Sequence, residues 1–197
     1  MLKRLFDIIV SLIFICILSP LLIIIAVAIK LGSKGNIFYL QERMGLNGKV
    51  FKIFKFRTMA PNADKSGLLT IGQNDSRITR IGKILRNYKV DELPQLFNVL
   101  IGDMSIVGPR PEVKKYVDLY TSEQRRVLTV QPGITDYASI QYVNESELLQ
   151  KFDNPEEAYI NEIMPHKLQL NLYYIDNRSL KTDISIIFAT IIHIFKK

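Results

Sequence analysis

From Ile8 to Ile29 the chain runs for 22 residues without a formal charge. Nothing else in the sequence limits its fold as strongly, because about 20 apolar residues in a helix span a hydrocarbon core of roughly 30 Å. Three features of the run favour another path. Ser19-Pro20 sits at its middle, where proline removes a helical hydrogen bond and kinks the chain. Lys3 and Arg4 flank one end while Lys30 and Lys34 flank the other, so cationic flanks favour the cytoplasm at both ends. Each arm beside the proline has about eleven residues, roughly 17 Å of helix or half a hydrocarbon core. A re-entrant helical hairpin satisfies all three features, and residues 1–34 are assigned to it. A spanning helix kinked at proline is the plain alternative, since membranes tolerate such prolines. Lys3-Arg4 and Ala26-Val27-Ala28 also imitate a signal peptide, but the run is longer than an ordinary signal core and Lys30 follows too closely.

Residues 35–197 turn soluble in character and suffice for one catalytic domain with a core. The single cysteine, Cys16, lies in the apolar run, which excludes a disulfide framework and a cysteine–histidine metal site. The net charge of +7 is unevenly placed: residues 1–90 carry +11 and residues 91–197 carry −4. A basic first half suits anionic lipid headgroups, phosphorylated substrates or nucleic acid. Ile37-Phe38-Tyr39 reads as a short strand and Arg43 to Gly48 as a turn. Val50 to Met59 fits a half-buried strand or an element at a membrane surface. Pro61 to Ser76 is polar and loop-like, a candidate cover. Ile78, Ile81, Ile84, Leu85 and Tyr88 mark one face of a helix whose other side holds Arg77, Arg80, Lys83 and Arg86. A further helix is expected over residues 112–131, with a capping-box-like Thr121-Ser122-Glu123-Gln124. The apolar run Ile184 to Phe195 is too short to span and fits a core or interfacial helix. The class is α/β, helix-rich with a small mixed sheet. No internal repeat, P-loop or His-Glu metal motif is present. His166 and His193 stand isolated, and Glu156, Glu157 and Glu162 read as a solvated acidic surface.

The densest chemistry lies between Arg86 and Pro111. Asp91 and Glu92 are adjacent carboxylates where a helix should begin. Pro94 fits the first turn, Leu93, Leu96, Phe97 and Leu100 follow at helical spacing, and Gly102 suits the position past the end. The plain reading makes Asp91 an N-cap. The neighbours add more. In Gly108-Pro109-Arg110-Pro111 the arginine is held on a stiff backbone between two prolines, and a rigid guanidinium suits bidentate phosphate binding. A helix N-terminus favours anions and would keep a carboxylate there ionised. An ionised carboxylate beside a phosphate clamp is a potential nucleophile towards phosphorus.

The run Asp-Glu-Leu-Pro-Gln-Leu-Phe-Asn-Val-Leu from Asp91, continued by Gly-Asp-Met-Ser-Ile-Val-Gly-Pro-Arg-Pro to Pro111, resembles the signature of bacterial sugar transferases. These are small monotopic phosphoglycosyl transferases of the cytoplasmic face of the bacterial inner membrane. The resemblance covers nearly the whole chain, from Lys3-Arg4-Leu5-Phe6-Asp7 and Ser19-Pro20, like the family's re-entrant helix, to Leu172–Asp183, like its closing segment. It implies transfer of a sugar 1-phosphate from a UDP-sugar to polyprenyl phosphate, with release of UMP. Asp91 would be the nucleophile of a covalent intermediate, and Glu92, beside Asp91, would hold Mg²⁺. Lys55 and Arg57 would contact phosphate, and Arg86 and Arg110, with Pro109 and Pro111 framing the last, would hold phosphate oxygens or the carboxylates. Gln131 to Ile140 resembles a nucleotide-side motif that would bring in Gly133 and Thr135. Here the chain departs: many members carry a basic residue at Gln131 and Gly-Trp-Ala-Gln in place of Asp136-Tyr-Ala-Ser139. The sugar is therefore unassigned, and a second copy of the chain as partner stays open. Arg4, Asp7, Ser19 and Pro20 belong to the membrane hairpin.

Two other classes fit the charge: a non-catalytic basic scaffold on anionic lipid, and a nucleic-acid binder. The second lacks any stacking platform or nucleic-acid module, so no nucleic acid is expected.

Overall fold

A computed structural model describes residues 2–61, 63, 69 and 75–195; residues 62, 64–68 and 70–74 of the expected cover lie outside them. The apolar run forms helix α1, Leu2–Gly32, with Pro20 inside it. By length and composition this helix could cross a membrane. At Ser19-Pro20 the helix stays continuous, and a chain reversal there is not shown. Pro20 cannot donate to the carbonyl of Cys16, and the Ser19 hydroxyl donates to that carbonyl instead at 2.9 Å. The lost bond is replaced in place and the helix continues.

Both ends of α1 are tied to the same body. Lys3 Nζ donates to Asp183 (2.6 Å) and to the Val107 carbonyl (3.1 Å). Arg4 donates to the carbonyls of Val99 (2.5 Å) and Leu100 (2.9 Å). Asp7 is buried and accepts from the Ser105 hydroxyl (2.9 Å) and the Ile106 N–H (3.2 Å). Towards the other end, Ile25 and Ile29 pack with Phe56 and Leu85. Between and around these contacts Leu12, Ile13, Ile17, Ile23, Ile24 and Val27 are exposed.

The sheets are two separate ribbons. Strands β1 (Phe38–Met44) and β2 (Val50–Phe56) pair antiparallel, Phe38 opposite Phe56 and Met44 opposite Val50, around the tight turn Leu46–Gly48. Ile53 and Phe56 are buried, so the half-buried strand is the reading that holds for this segment. Helix α2 (Arg80–Asn87) is capped by Thr79, whose hydroxyl accepts from the Gly82 N–H at 2.9 Å. Helix α3 (Gln95–Ile101) ends at Gly102, whose φ of 99° suits a residue without a β-carbon. Strands β3 (Ser105–Val107) and β4 (Gly133–Thr135) pair in parallel. A β-carbon on Gly133 would stand 2.1 Å from the Gly108 nitrogen, so β4 and the chain leaving β3 touch backbone to backbone.

Residues 112–131 are not one helix. They form the single turn α4 (Lys114–Val117) and a 3₁₀ turn, Gln124–Thr129. The capping box causes the break: Thr121 N–H donates to Gln124 Oε1 (2.9 Å) and Gln124 N–H to Thr121 Oγ1 (3.2 Å), which starts a new turn instead of extending the old one. Short helices α5 (Tyr137–Gln141), α6 (Glu145–Leu149) and α7 (Pro155–Ala158) lead through a π turn, Tyr159–Ile163, into α8 (Met164–Asp176) and α9 (Leu180–Phe195). One core gathers Tyr116, Val117, Leu149, Tyr159 and Leu168. A second lies under the ribbons, around Ile53, Val99, Met104, Tyr174 and Ile186. The architecture is helix-rich with small sheets, as expected.

Candidate active site

The site is assembled by one buried amide. Asn98 of α3 accepts from the Phe54 N–H (2.9 Å) and donates to the Lys52 carbonyl (2.8 Å), which staples α3 across β2. That registration sets Lys55 of β2 beside Glu92, with Nζ 3.0 Å from Oε1. Arg110 approaches from the other side and pairs with Glu92 through both terminal nitrogens, one of them 3.0 Å from Oε2. The backbone of Arg110 is itself fixed. Its N–H donates to Asp136 (3.0 Å), which is fully buried and also caps α5 at Ser139 (2.6 Å). The Pro109 carbonyl accepts from the Gly133 N–H at 3.0 Å.

Asp91 and Glu92 occupy a 3₁₀ turn, Val90–Glu92, ahead of α3, and the helix's own cap position is Pro94. Asp91 therefore is not the N-cap, and the expected helix-end stabilisation of its charge does not apply. Its carboxylate is buried and makes no hydrogen bond among the described residues. Burial first, and the charge of Glu92 next, push the Asp91 carboxyl above the usual aspartate range, against the pull of Lys55, Arg86 and Lys89. Glu92 goes the other way. Burial works to raise it, but Arg110 and Lys55 together hold it well below the glutamate range. Burial lowers Lys55 despite Glu92, and Glu92 raises Arg110. The two neighbouring carboxyls are thus driven apart, Asp91 upward and Glu92 downward.

A cavity of about 590 Å³ opens on this cluster. Lys55, Arg86, Asp91, Glu92, Arg110 and Thr135 are among its lining residues. No cluster of three or more metal-ligating side chains exists among the described residues. Magnesium commonly needs only one or two carboxylates beside substrate phosphates; Asp91, with no hydrogen bond among the described residues, offers such oxygens, while both oxygens of Glu92 already accept from Lys55 and Arg110.

The family described as "Bacterial sugar transferase" matches residues 1–197. The chain belongs to that family. A UDP-N-acetylgalactosamine-undecaprenyl-phosphate N-acetylgalactosaminephosphotransferase of Aeromonas hydrophila is 39% identical over 194 residues, covering 96% of this chain and 42% of the relative. A UDP-glucose:undecaprenyl-phosphate glucose-1-phosphate transferase of Klebsiella pneumoniae is 39% identical over 193 residues, with 96% and 39% covered. The exopolysaccharide production protein PSS of Rhizobium leguminosarum bv. phaseoli is 40% identical over 199 residues, with 97% and 94% covered. The chain spans about two fifths of the first two relatives and nearly all of the third.

Within this bacterial sugar transferase the residues singled out from sequence separate into two groups. Asp91, Glu92, Lys55, Arg86, Arg110, Pro111 and Thr135 line the cavity. Arg86 donates to the Thr58 hydroxyl at 2.9 Å, and Thr135 shares a 2.6 Å hydrogen bond with Thr190. Pro109 and Gly133 lie behind them as backbone supports. Arg57 is elsewhere: it donates to the carbonyls of Ser33 (2.9 Å), Lys34 (2.6 Å) and Asn36 (2.6 Å), so its fork closes the end of α1. Arg4 and Asp7 hold α1 to α3 and β3, and Ser19 and Pro20 lie in its middle.

Sequence reading missed Asn98, Asp136 and Glu112. Glu112 accepts from Arg43 (2.7 Å), Val113 N–H (2.8 Å) and Tyr159 (2.5 Å) in the cavity wall. Burial would raise it, but Arg43 and Lys167 hold it below the glutamate range. Its position directly after Pro111 was the available signal. Asn98 lay inside the quoted motif, where only its helical spacing was used.

Proposed function

We propose that this chain is a phosphoglycosyl transferase that moves a sugar 1-phosphate from a UDP-sugar to polyprenyl phosphate. The observation that carries the reading is a buried Asp91 carboxylate, with no hydrogen bond among the described residues, beside a Glu92 clamped by Lys55 and Arg110. The printed names of two relatives supply the substrate classes. In the first step an Asp91 oxygen attacks the sugar-proximal phosphorus. The bond from that phosphorus to the bridging oxygen breaks, and UMP leaves with the electron pair. In the second step a phosphate oxygen of the lipid attacks the same phosphorus and Asp91 departs, giving the polyprenyl diphosphosugar. Lys55, Arg86 and Arg110 hold phosphate oxygens, Arg110 as a two-pronged donor. Glu92, with Asp91 beside it, supplies oxygen donors for magnesium, which offsets diphosphate charge when bound.

Residues 1–34 serve as the membrane element and residues 35–197 as the catalytic domain. α1 enters and leaves lipid from one face, the cytoplasmic face of the inner membrane. Support comes from the attachment of both its ends to one soluble body, through Lys3, Arg4 and Asp7 and through Ile25 and Ile29. The exposed apolar side chains of α1, with Ile184, Phe188 and Ile192 of α9, supply the lipid-facing surface. Cysteines placed near Lys3 and Lys34 are expected to label from the cytoplasmic side only; labelling of the Lys34 position from outside defeats this topology.

The deciding experiment incubates the chain with polyprenyl phosphate and a panel of UDP-sugars and identifies the released nucleotide. Attack at the sugar-proximal phosphorus yields UMP, before the lipid is added. Asp91→Asn is expected to lose turnover and trap no phosphosugar adduct by mass spectrometry. UDP as product, or normal turnover in that variant, refutes the nucleophile.

A further inference from the structure

One buried carboxylate joins the Arg110 clamp to the wall of the cavity. Asp136 stands between β4 and α5, is fully buried and has an extended backbone (φ −159°, ψ 179°). Its two oxygens serve different elements. Oδ1 accepts from the Ser139 N–H at 2.6 Å, and Oδ2 accepts from the Arg110 N–H at 3.0 Å, 26 positions away. That second bond completes the fixing of a single peptide group. The Pro109 carbonyl belongs to the same peptide as the Arg110 N–H, and it accepts from the Gly133 N–H at 3.0 Å. The Pro109–Arg110 peptide is thereby held at both its oxygen and its hydrogen, one end by backbone and the other by a side chain. Further out, both terminal nitrogens of Arg110 pair with Glu92. Glu92 above all raises the guanidinium, and Asp136 adds to it. α5, which Asp136 caps, contributes Ala138 and Ile140 to the lining of the cavity.

We infer that Asp136 is a positioning residue: it fixes the peptide from which Arg110 projects and so aims the guanidinium fork at substrate phosphate. The inference rests on the proposed role of Arg110 as a two-pronged phosphate donor and adds what points it. A bidentate fork tolerates little error, since a misplacement of about 1 Å can cost about 100-fold in rate. The flanking prolines do not set that aim by themselves. Pro111 biases Arg110 towards extended geometry, and Pro109 fixes only its own φ. The peptide between Pro109 and Arg110 is left to turn about the ψ of one and the φ of the other. A bond at its carbonyl end alone makes a hinge of it, and the bond to Asp136 stops that hinge. Because the same carboxylate caps α5, the direction of Arg110 is tied to the cavity wall as well as to β4. Asp136 stands where many members of the family carry glycine, a residue with no side chain to supply either bond.

The test uses the full chain in lipid nanodiscs and places Asp136→Asn in the wild-type and Arg110→Lys backgrounds. Asparagine caps helices about as well as aspartate, so its oxygen keeps the Ser139 N–H while its amide meets the Arg110 N–H donor to donor. Asp136→Ser also keeps a capping oxygen and leaves the Arg110 N–H without that acceptor, so it reports where the asparagine variant folds poorly. Circular dichroism melts show which variants fold. UMP release, as kcat/KM for the UDP-sugar, is expected to fall about 10- to 100-fold in the wild-type background. In the Arg110→Lys background, which has no fork to aim, the same substitution is expected to change it by less than two-fold. Calorimetric titration of UDP follows the same pattern, with about 3- to 10-fold weaker binding in the wild-type background alone. Equal losses in both backgrounds make Asp136 a support of the fold and overturn the inference. Folded variants within two-fold of wild type overturn it too, as does Arg110→Lys with wild-type activity. Wild-type chain that binds UDP but releases no UMP from any UDP-sugar refutes the proposed transfer, and the UDP titrations then decide the role of Asp136. Wild-type chain that binds no UDP overturns both.

Discussion

Replacing Asp7 tests whether the apolar helix is a structural part of the catalytic body. Asp7 is 1% exposed and accepts two hydrogen bonds, from Ser105 Oγ and the Ile106 N–H. Asp7→Ala removes both acceptors. Ser105 keeps an alternative, because its hydroxyl also lies 3.0 Å from the Val107 carbonyl. The Ile106 N–H is stranded, at about 1–3 kcal/mol, and the partly recovered serine bond adds roughly 1 kcal/mol. The expected loss is therefore about 2–4 kcal/mol. For a chain of this size each kcal/mol moves the melting temperature by roughly 2–4 °C, so the fall is about 5–15 °C. Asp7→Asn is gentler. Its oxygen still receives the Ile106 N–H, and its amide can donate to Ser105 while that hydroxyl turns to Val107. A fall of only about 2–4 °C is expected there, from roughly 1 kcal/mol. Circular dichroism melts in detergent read both. An alanine variant within 2 °C of wild type, or an asparagine variant as damaged as the alanine one, refutes this account of the anchor.

Arg110→Lys keeps the charge but loses the two-pronged pairing with Glu92, and UMP release is expected to fall at least about ten-fold with membrane association unchanged; equal activity makes the guanidinium structural. Burial and Glu92 raise Asp91, so its charged form, and with it the rate, is lost on the acid side at a higher pH than for an ordinary aspartate. Glu92→Gln removes one raising charge and frees Lys55 and Arg110, so the acid limb of single-turnover adduct formation should move to lower pH; an unmoved or upward limb contradicts the assignment. Folded Glu92 is depressed, so its contribution to stability is present above the glutamate range and disappears only as pH falls through its lowered value. Arg57→Ala should lower the melting temperature, by stranding three carbonyls after α1, while KM for the UDP-sugar stays within two-fold; a ten-fold rise in KM at unchanged melting temperature would return Arg57 to the phosphate site.

What the sequence disclosed follows from the range of each signal. Gly102 and the Thr121–Gln124 box act on neighbours within a turn, and each appears in the structure where the local chemistry requires it. Asp91, Glu92 and Arg110 were legible as a group because a stiff proline-flanked arginine and a carboxylate pair are unusual side by side. The identity of a guanidinium's partner was not legible. Lys55 lies on β2 and Arg57 just past its end, yet only Lys55 faces Glu92, since the register set by Asn98 is a tertiary fact. The same limit hid Asp136, whose two bonds reach Arg110 and α5. At Ser19-Pro20 the serine hydroxyl serves the Cys16 carbonyl that the proline leaves without a donor, a local bond that the proline signal by itself does not disclose. Helix propensity over residues 112–131 was likewise outweighed, by a capping box read as part of a helix when it opens one.

The tether between Lys3 and Asp183 also sets an order of events during synthesis. The two residues are 180 positions apart, and Asp7 waits 98 positions for Ser105. At roughly 5–20 residues per second on the ribosome, the longer interval lasts about 10–35 s. Until Val99 to Ile106 are made, roughly 5–20 s into that time, α1 has none of its polar partners, so its apolar face must be sheltered by lipid or by a targeting factor before the body exists to receive it. Asp91 and Glu92 belong to a chain whose first helix is made early and receives its last tether, from Asp183, near the end of synthesis. Removing α1 to obtain a water-soluble fragment would therefore not expose a finished enzyme: it would leave the carbonyl end of α3 and the donors of β3 without the residues that complete them.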